Sequence, residues 1–378
     1  MSEPSTSEPH RKHPKFPRRR LGHYAPTEFA LVGTLCQRMN DLMLDWQRRL
    51  GEEARTLVVR GKFKLDPAND VRQIGLKRLE GDRPRWDEYD DRLYGGDYDL
   101  ALVNGNHYPA ARQIVYVDPV KAGTLERRRH QLTDVVAVVL DEGQDVPAWL
   151  RAHLAETDQS PPVWPAAEAD ERAFALVKEA FRQNLPPLRA LVLAGGRSQR
   201  MGRDKAQLAY RDGEAELARL VGLCTDGLGL ETYVSVSEAA ADPLPGTPTV
   251  TDRFLGMGPM GAIASALLSQ PDSAWLVLAC DLPLLELADL ECLVAARDTR
   301  RHATAARAAE KPWPEPLVAI YEPRAYRRFL DLLSLGYSCP RKLLINGDTR
   351  EVDFGEGRAL YNANTPEERA EALALIQS

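Results

Sequence analysis

The run "LVLAGGRSQRMGRDK", residues 191–205, begins apolar, breaks on Gly195 and Gly196, and turns basic through Arg197, Arg200, Arg203 and Lys205. Paired glycines let backbone N–H groups approach a ligand closely and form a concave anion site. Arg200 adds a forked donor and Lys205 a point charge, both suited to phosphate oxygens. The spacing is not that of a Walker loop, G-x-x-x-x-G-K-[ST]. The run reads as a loop for a nucleoside triphosphate. Asp281 follows the apolar run "WLVLAC" and stands before Leu282-Pro283. A carboxylate there suits Mg²⁺, which takes one or two carboxylates together with substrate phosphates. Asp252 ends the third expected strand, "TPTVTD". "GMGPMG" (256–261) also matches G-x-G-x-x-G, with Asp281 about 20 residues further on, as a dinucleotide fingerprint requires. Against that oxidoreductase reading, "TPTVTD" makes a poor buried strand, and the motif is in the middle of its domain instead of its first βα turn.

These residues need strand ends to hold them, because ligands in open α/β sheets bind beyond the carboxyl ends of the strands. Strands are expected at 188–196, 231–237, 247–252, 274–281 and 316–321, with helices over 214–224, 261–269 and 366–376. The preceding chain repeats the alternation. Apolar runs at 29–33, 56–61, 98–105, 113–118 and 134–141 suit a sheet covered on both faces, and 35–50 has helical spacing. Pro-rich 158–167 reads as a linker and 170–184 as an amphipathic helix. Residues 1–24 are rich in Ser, Pro and basic residues and read as a disordered tail. The expected division is therefore 1–24 tail, 25–157 first domain, 158–187 linker and helix, and 188–378 second domain. The expected class is α/β, with two tandem three-layer domains.

Composition narrows the function. The 378 residues are 44% hydrophobic and 28% charged, with a net charge of −6, which argues against a generic nucleic-acid binder. Five scattered cysteines suggest neither zinc nor a disulfide framework. No apolar stretch reaches the roughly 20 residues that span a bilayer, and the polar N-terminus lacks a signal-peptide core. A cytoplasmic protein with no membrane partner is expected.

"LAGGRSQRMGRDKAQL" (193–208), "TDRFLGMGPMGAIASAL" (251–267), "LACDLP" (278–283), "EPLVAIY" (315–321) and "YNANTPEE" (361–368) stand in family order. Together they resemble the molybdenum cofactor guanylyltransferases over essentially all of 188–378. The resemblance implies a Rossmann-like nucleotidyltransferase fold and Mg²⁺-dependent transfer of GMP from GTP to molybdopterin, with release of pyrophosphate. It implies that Leu193, Ala194, Gly195, Gly196 and Asp252 contact the nucleotide and that Lys205 neutralises phosphate charge. Asp281 would be the Mg²⁺ ligand, and Asn362 and Asn364 would lie on the pterin side; Arg200 is added here as a triphosphate contact. Molybdopterin's phosphate is already a nucleophile, so positioning and charge stabilisation would supply most of the catalysis. None of the seven histidines falls within these motifs. Where the guanylyl family commonly carries Asn after its second strand, this chain has Ser235 and Ser237. A cytidylyltransferase therefore stays open as the nearest alternative, and a non-catalytic nucleotide-binding regulatory protein as the alternative of another class.

The segments "FALVG" (29–33), "FKLDPANDVRQIGLKRLEG" (63–81), "DYDLALVNGNHYP" (97–109) and "DVVAVVLDE" (134–142) resemble the molybdopterin-guanine dinucleotide biosynthesis adaptor. That family has a P-loop-NTPase-like fold. Its defining loop is missing: after Gly33 the chain reads "TLCQRMNDL", so Gln37, Arg38 and Met39 replace the family's G-K-[ST]. The acidic residue of the family's V-E-G is Asn104 here. This domain is expected not to hydrolyse GTP and to serve as an adaptor or scaffold. It would dock the catalytic domain, a molybdoenzyme or another cofactor-pathway protein, with Asn104, Asn106 and His107 at a strand end as candidate contacts.

Overall fold

The computed structural model describes residues 16–61, 69–74, 77–82, 86–194, 208–211, 213–237 and 242–377. Two compact units divide between Leu185 and Pro186.

The N-terminal unit opens with β1 (Thr27–Val32), α1 (Cys36–Leu50) and β2 (Thr56–Val59). An antiparallel hairpin, β3 (Asn69–Ile74) and β4 (Lys77–Asp82), precedes α2 (Glu88–Gly95). Next come β5 (Leu100–Asn104), β6 (Arg112–Val117), α3 (Ala122–Arg127), β7 (Val135–Leu140), α4 (Ala148–Glu156), β8 (Val163–Pro165) and α5 (Ala166–Gln183). The main sheet runs β2-β5-β1-β6-β7-β8, with every pairing parallel. Alternate residues of β1 face opposite cores. Phe29 and Leu31 meet Met39, Met43 and Trp46 of α1 and Val177 and Phe181 of α5, while Val32 meets Leu125 of α3 and Leu150 of α4. That alternation produces the three layers expected of a P-loop-NTPase-like fold.

Of the segment 158–187, expected as a linker and helix, the helix is present as α5 and the linker part differs. Its first part supplies the edge strand β8, paired with β7, and α5 covers the sheet. Val163-Trp164-Pro165 is too short and proline-rich to announce itself as a strand, yet Trp164 is buried and Pro165 ends an edge, where a missing N–H costs no ladder bond.

The C-terminal unit contains β9 (Leu188–Leu193), β10 (Ala209–Arg211), β11 (Glu214–Ala215), α6 (Glu216–Gly222), β12 (Thr232–Val236), β13 (Thr249–Thr251), α7 (Gly258–Ser269) and β14 (Ala274–Ala279). It continues through α8 (Leu287–Ala295), β15 (Ala303–Arg307), β16 (Val318–Tyr321), α9 (Ala325–Ser334), α10 (Arg341–Asn346), β17 (Thr349–Asp353) and α11 (Pro366–Gln377). The sheet order is β13-β12-β9-β14-β16-β15-β17. Pairings from β13 to β14 are parallel, as is β15 with β17, whereas β16 runs antiparallel to both its neighbours. Ala190 and Val192 face one core with α6 and α8; Leu191 and Leu193 face the other with α7, α9 and α10.

The G-x-G-x-x-G motif has a packing role here. It follows β13, a three-residue edge strand, and not the central β9. A Cβ on Gly261 would fall 2.3 Å from the Phe254 carbonyl oxygen, so glycine lets α7 lie against the loop leaving β13. Ser265 Oγ bonds that helix to the same loop, accepting from Arg253 N at 2.8 Å and donating to Gly261 O at 2.6 Å. Gly261→Ala is expected to cost about 1–3 kcal/mol through overpacking against backbone, measurable by urea unfolding; an unchanged midpoint would refute the packing role.

Candidate functional site

In the C-terminal sheet the chain leaves β9, places β12 and β13 on one side, then returns to place β14 on the other. The reversal between β9 and β14 is the crevice in which open α/β sheets bind ligands. Ala279 of β14 pairs with Leu193 of β9, so Ala194 and Asp281 emerge side by side just beyond that pairing. Leu193 is packed into the α7 side of the core, which leaves its backbone as the part able to meet a ligand, and Ala194 is half-buried. Gly195, Gly196, Arg200 and Lys205 lie outside the described residues.

The Asp281 side chain is half-buried, and its main-chain oxygen accepts from Ala363 N at 2.9 Å. That bond brings the 361–364 stretch, with Asn362 and Asn364, to the end of β14. Asn362 Nδ2 donates to Leu360 O at 3.3 Å, which shapes the turn. Asn364 N and Thr365 N donate to Glu368 Oε2 at 2.7 and 2.9 Å, and Glu368 N returns a bond to Thr365 Oγ1 at 3.2 Å. This reciprocal cap starts α11 and fixes where the two asparagines stand.

On the other flank, Asp252 follows β13, and its N–H donates to Val236 O at 2.8 Å. Ser235 Oγ donates to Asp252 Oδ1 at 3.0 Å. Burial pushes the Asp252 carboxyl up and the Ser235 bond pulls it back. Ser235 is thus buried and holds the carboxylate, whereas Ser237 is exposed. Three strand spacings separate β13 from β14, about 14 Å. Asp252 and Asp281 therefore serve different parts of any ligand laid across the strand ends.

Two groups absent from the sequence reading join the Asp281 side. Glu315, the first residue of "EPLVAIY", is mostly buried, and Arg341 Nη2 lies 3.5 Å from its Oε2. Burial pushes its carboxyl up, Arg341 opposes this, and the nearby Asp281 charge adds a smaller upward push. Tyr210 is pushed up to about 12 by burial first, with Glu216 and Asp281 also contributing. The quoted motif contained the signal for Glu315, but nothing local said that β16 would bring it to the end of β14.

Among the described residues no group of three or more His, Cys, Asp or Glu is gathered to hold a metal ion. A single carboxylate at Asp281 fits Mg²⁺ all the same, because that ion keeps waters and takes phosphate oxygens as its remaining ligands.

The N-terminal unit carries the corresponding turn after β1, and its polar groups are bonded internally. Gly33 has φ of +92°, and a Cβ there would fall 2.2 Å from Tyr116 O, so only glycine makes the turn. Gly33 N donates to Asn106 Oδ1 at 3.2 Å, and Asn106 Nδ2 donates to Thr34 O at 2.7 Å. Thr34 Oγ1 donates to Asp118 Oδ2 at 2.7 Å, and Arg38 pairs with Asp141 at 2.8 Å. Asn104 is buried and donates to Asn40 Oδ1 at 3.5 Å. Side chains thus hold the turn where a phosphate loop would leave N–H groups for its ligand.

Residues 190–349 match the family described as MobA-like NTP transferase domain. The molybdenum cofactor biosynthesis bifunctional protein of Synechocystis sp. is 34% identical over 187 residues, 48% of this chain and 52% of that protein's length. The molybdenum cofactor guanylyltransferase of Pseudomonas paraeruginosa is 33% identical over 197 residues, 48% of this chain and 93% of the relative. A solved MobB protein homolog from Bacillus stearothermophilus is similar at 20% identity and a TM-score of 0.30, covering 41% of this chain and 98% of that one. The alignment spans nearly the full length of the Pseudomonas relative and about half of the Synechocystis one, and on the former this chain belongs to the molybdenum cofactor guanylyltransferase family.

Proposed function

We propose that this chain transfers GMP from GTP to molybdopterin, releasing pyrophosphate and forming the guanine dinucleotide cofactor in the cytoplasm. The observation that carries the reading is the meeting of Ala194, Asp281 and the 361–364 stretch at the β9–β14 reversal. An oxygen of the molybdopterin phosphate attacks the α-phosphorus of GTP, forming one P–O bond as the bond to the β-phosphate oxygen breaks. Backbone at Leu193, Ala194, Gly195 and Gly196 cradles the nucleotide, and Arg200 and Lys205 meet the charge on the triphosphate. Asp252, held by Ser235, contacts the nucleoside end. Asn362 and Asn364 face the acceptor. Asp281 holds Mg²⁺, which when bound polarises phosphoryl oxygens and helps pyrophosphate leave.

The test is pyrophosphate release by the full chain with Mg²⁺, molybdopterin and each nucleoside triphosphate in turn. GTP-dependent release is expected. A preference for CTP would select the cytidylyl alternative, and GTP binding without release would select a non-catalytic regulator.

The N-terminal unit is read as a non-hydrolytic adaptor or scaffold, on the internal bonding of Gly33, Thr34 and Asn106 together with the missing G-K-[ST]. Without molybdopterin, the full chain is expected to release no inorganic phosphate from GTP above a buffer blank. Sustained Mg²⁺-dependent release of GDP and phosphate would contradict this.

A further inference from the structure

The first turn of α1, where a phosphate loop would lead into its helix, carries side chains that GMP transfer leaves unused. Cys36 is the first residue of this 15-residue helix, and its Sγ lies 3.4 Å from His107 Nε2. Asn106 Nδ2 lies 3.8 Å from the same sulfur. Both neighbours come from the turn after β5, and Asn106 is anchored by its bonds to Gly33 and Thr34. The His107 ring is seated against the main chain of Gly61, where a Cβ would fall 2.8 Å from its Cδ2. Cys36 is partly exposed and so within reach of a small reagent, whereas Cys224 and Cys280 are buried.

A thiol within reach of an imidazole whose ring is held in place is the arrangement of an activated nucleophile. We propose that Cys36 is a site of oxidative modification that takes a hydroperoxide, with His107 as its base. The Sγ proton passes to His107 as sulfur attacks one peroxide oxygen. The S–O bond forms while the O–O bond breaks. Sulfur is oxidised by two electrons to a sulfenic acid, and the peroxide is reduced to water or an alcohol, which takes the proton back from the imidazolium. Cys36 stands in the first turn of α1, the helix end that favours negative charge, and its N-cap Leu35 makes no side-chain bond there.

The full chain supplies its own controls, since Cys292 and Cys339 are more exposed than Cys36. The chain is treated with equimolar hydrogen peroxide and dimedone, and adducts are quantified on each cysteine peptide by mass spectrometry. Cys36 is expected to lead Cys292 and Cys339 by at least about tenfold, and His107→Gln to remove that lead. Slow hydrogen–deuterium exchange of the buried β1 and β5 peptides reports that the N-terminal unit, which holds Cys36 and His107, is intact. Labelling of wild-type Cys36 no faster than of the two exposed cysteines overturns the proposal. So does a His107→Gln chain that keeps β1 and β5 protected and Cys36 as fast as before. If the substitution exposes β1 and β5 to exchange, the wild-type ratio decides alone.

Discussion

Asp281→Ala is expected to lower GTP-dependent pyrophosphate release about a thousandfold, or ~4 kcal/mol in the barrier. The loss should fall on kcat more than on KM for GTP, because a metal at a leaving pyrophosphate is worth most in the transition state. The tie to the 361–364 stretch survives the change. The bond from Ala363 N runs to the main-chain oxygen of Asp281, which alanine keeps. Thermal unfolding within a few degrees of the wild type, beside a collapsed rate, is the expected pair of results. Release at the wild-type rate would remove Asp281 from the metal role and leave the transfer reaction without an assigned cation ligand.

The second large effect concerns a pair that no motif announced. Arg219 and Glu216, one turn apart on α6, are both buried and paired at 2.5 Å. Arg219 also donates to Leu285 O at 2.8 Å and Leu282 O at 3.4 Å, and so holds the stretch just after Asp281. Arg219→Met is expected to cost about 3–5 kcal/mol, because it strands a buried carboxylate and takes the arginine donor from the Leu285 carbonyl. Urea unfolding measures this. The penalty has a pH signature. Burial already pushes Glu216 above 4.5, opposed by Arg219. Without Arg219 the folded-state value rises further, while the unfolded value stays. A carboxyl raised in the folded state favours folding below its unfolded pKa, and that advantage is lost as pH rises through the folded value. The variant should thus approach the wild type towards pH 4 and diverge near neutrality. A pH-independent difference would mean that Glu216 bears none of the cost.

Much of the fold could be read locally, where the physics is local. The apolar runs within β1, β5, β9 and β14 are buried on both faces, and sheets covered on both sides produce such runs. Helical spacing placed α1 and α5 to within a few residues. The misses have a common cause. β15, "ATAAR", and β17, "TREVD", carry little hydrophobic pattern, because their strand character comes from neighbours in the sheet. The hairpin of β3 and β4 and the short β8 likewise lack a periodic signal of their own.

For the site, residue types and order alone determined the chemistry on offer: a glycine break with following cations for phosphate, a carboxylate at a strand end, and Gln37, Arg38 and Met39 where a phosphate loop has G-K-[ST]. These are covalent facts of the chain, and no packing can supply a missing side chain. Only the tertiary structure decided which groups meet. It joined the 361–364 stretch to Asp281, gave Ser235 to Asp252, brought Glu315 beside the β14 end, and set His107 against Cys36. Residues 71 or 82 positions apart come together only when strands take their places in a sheet. That order follows from how whole faces are buried, which no local spacing records.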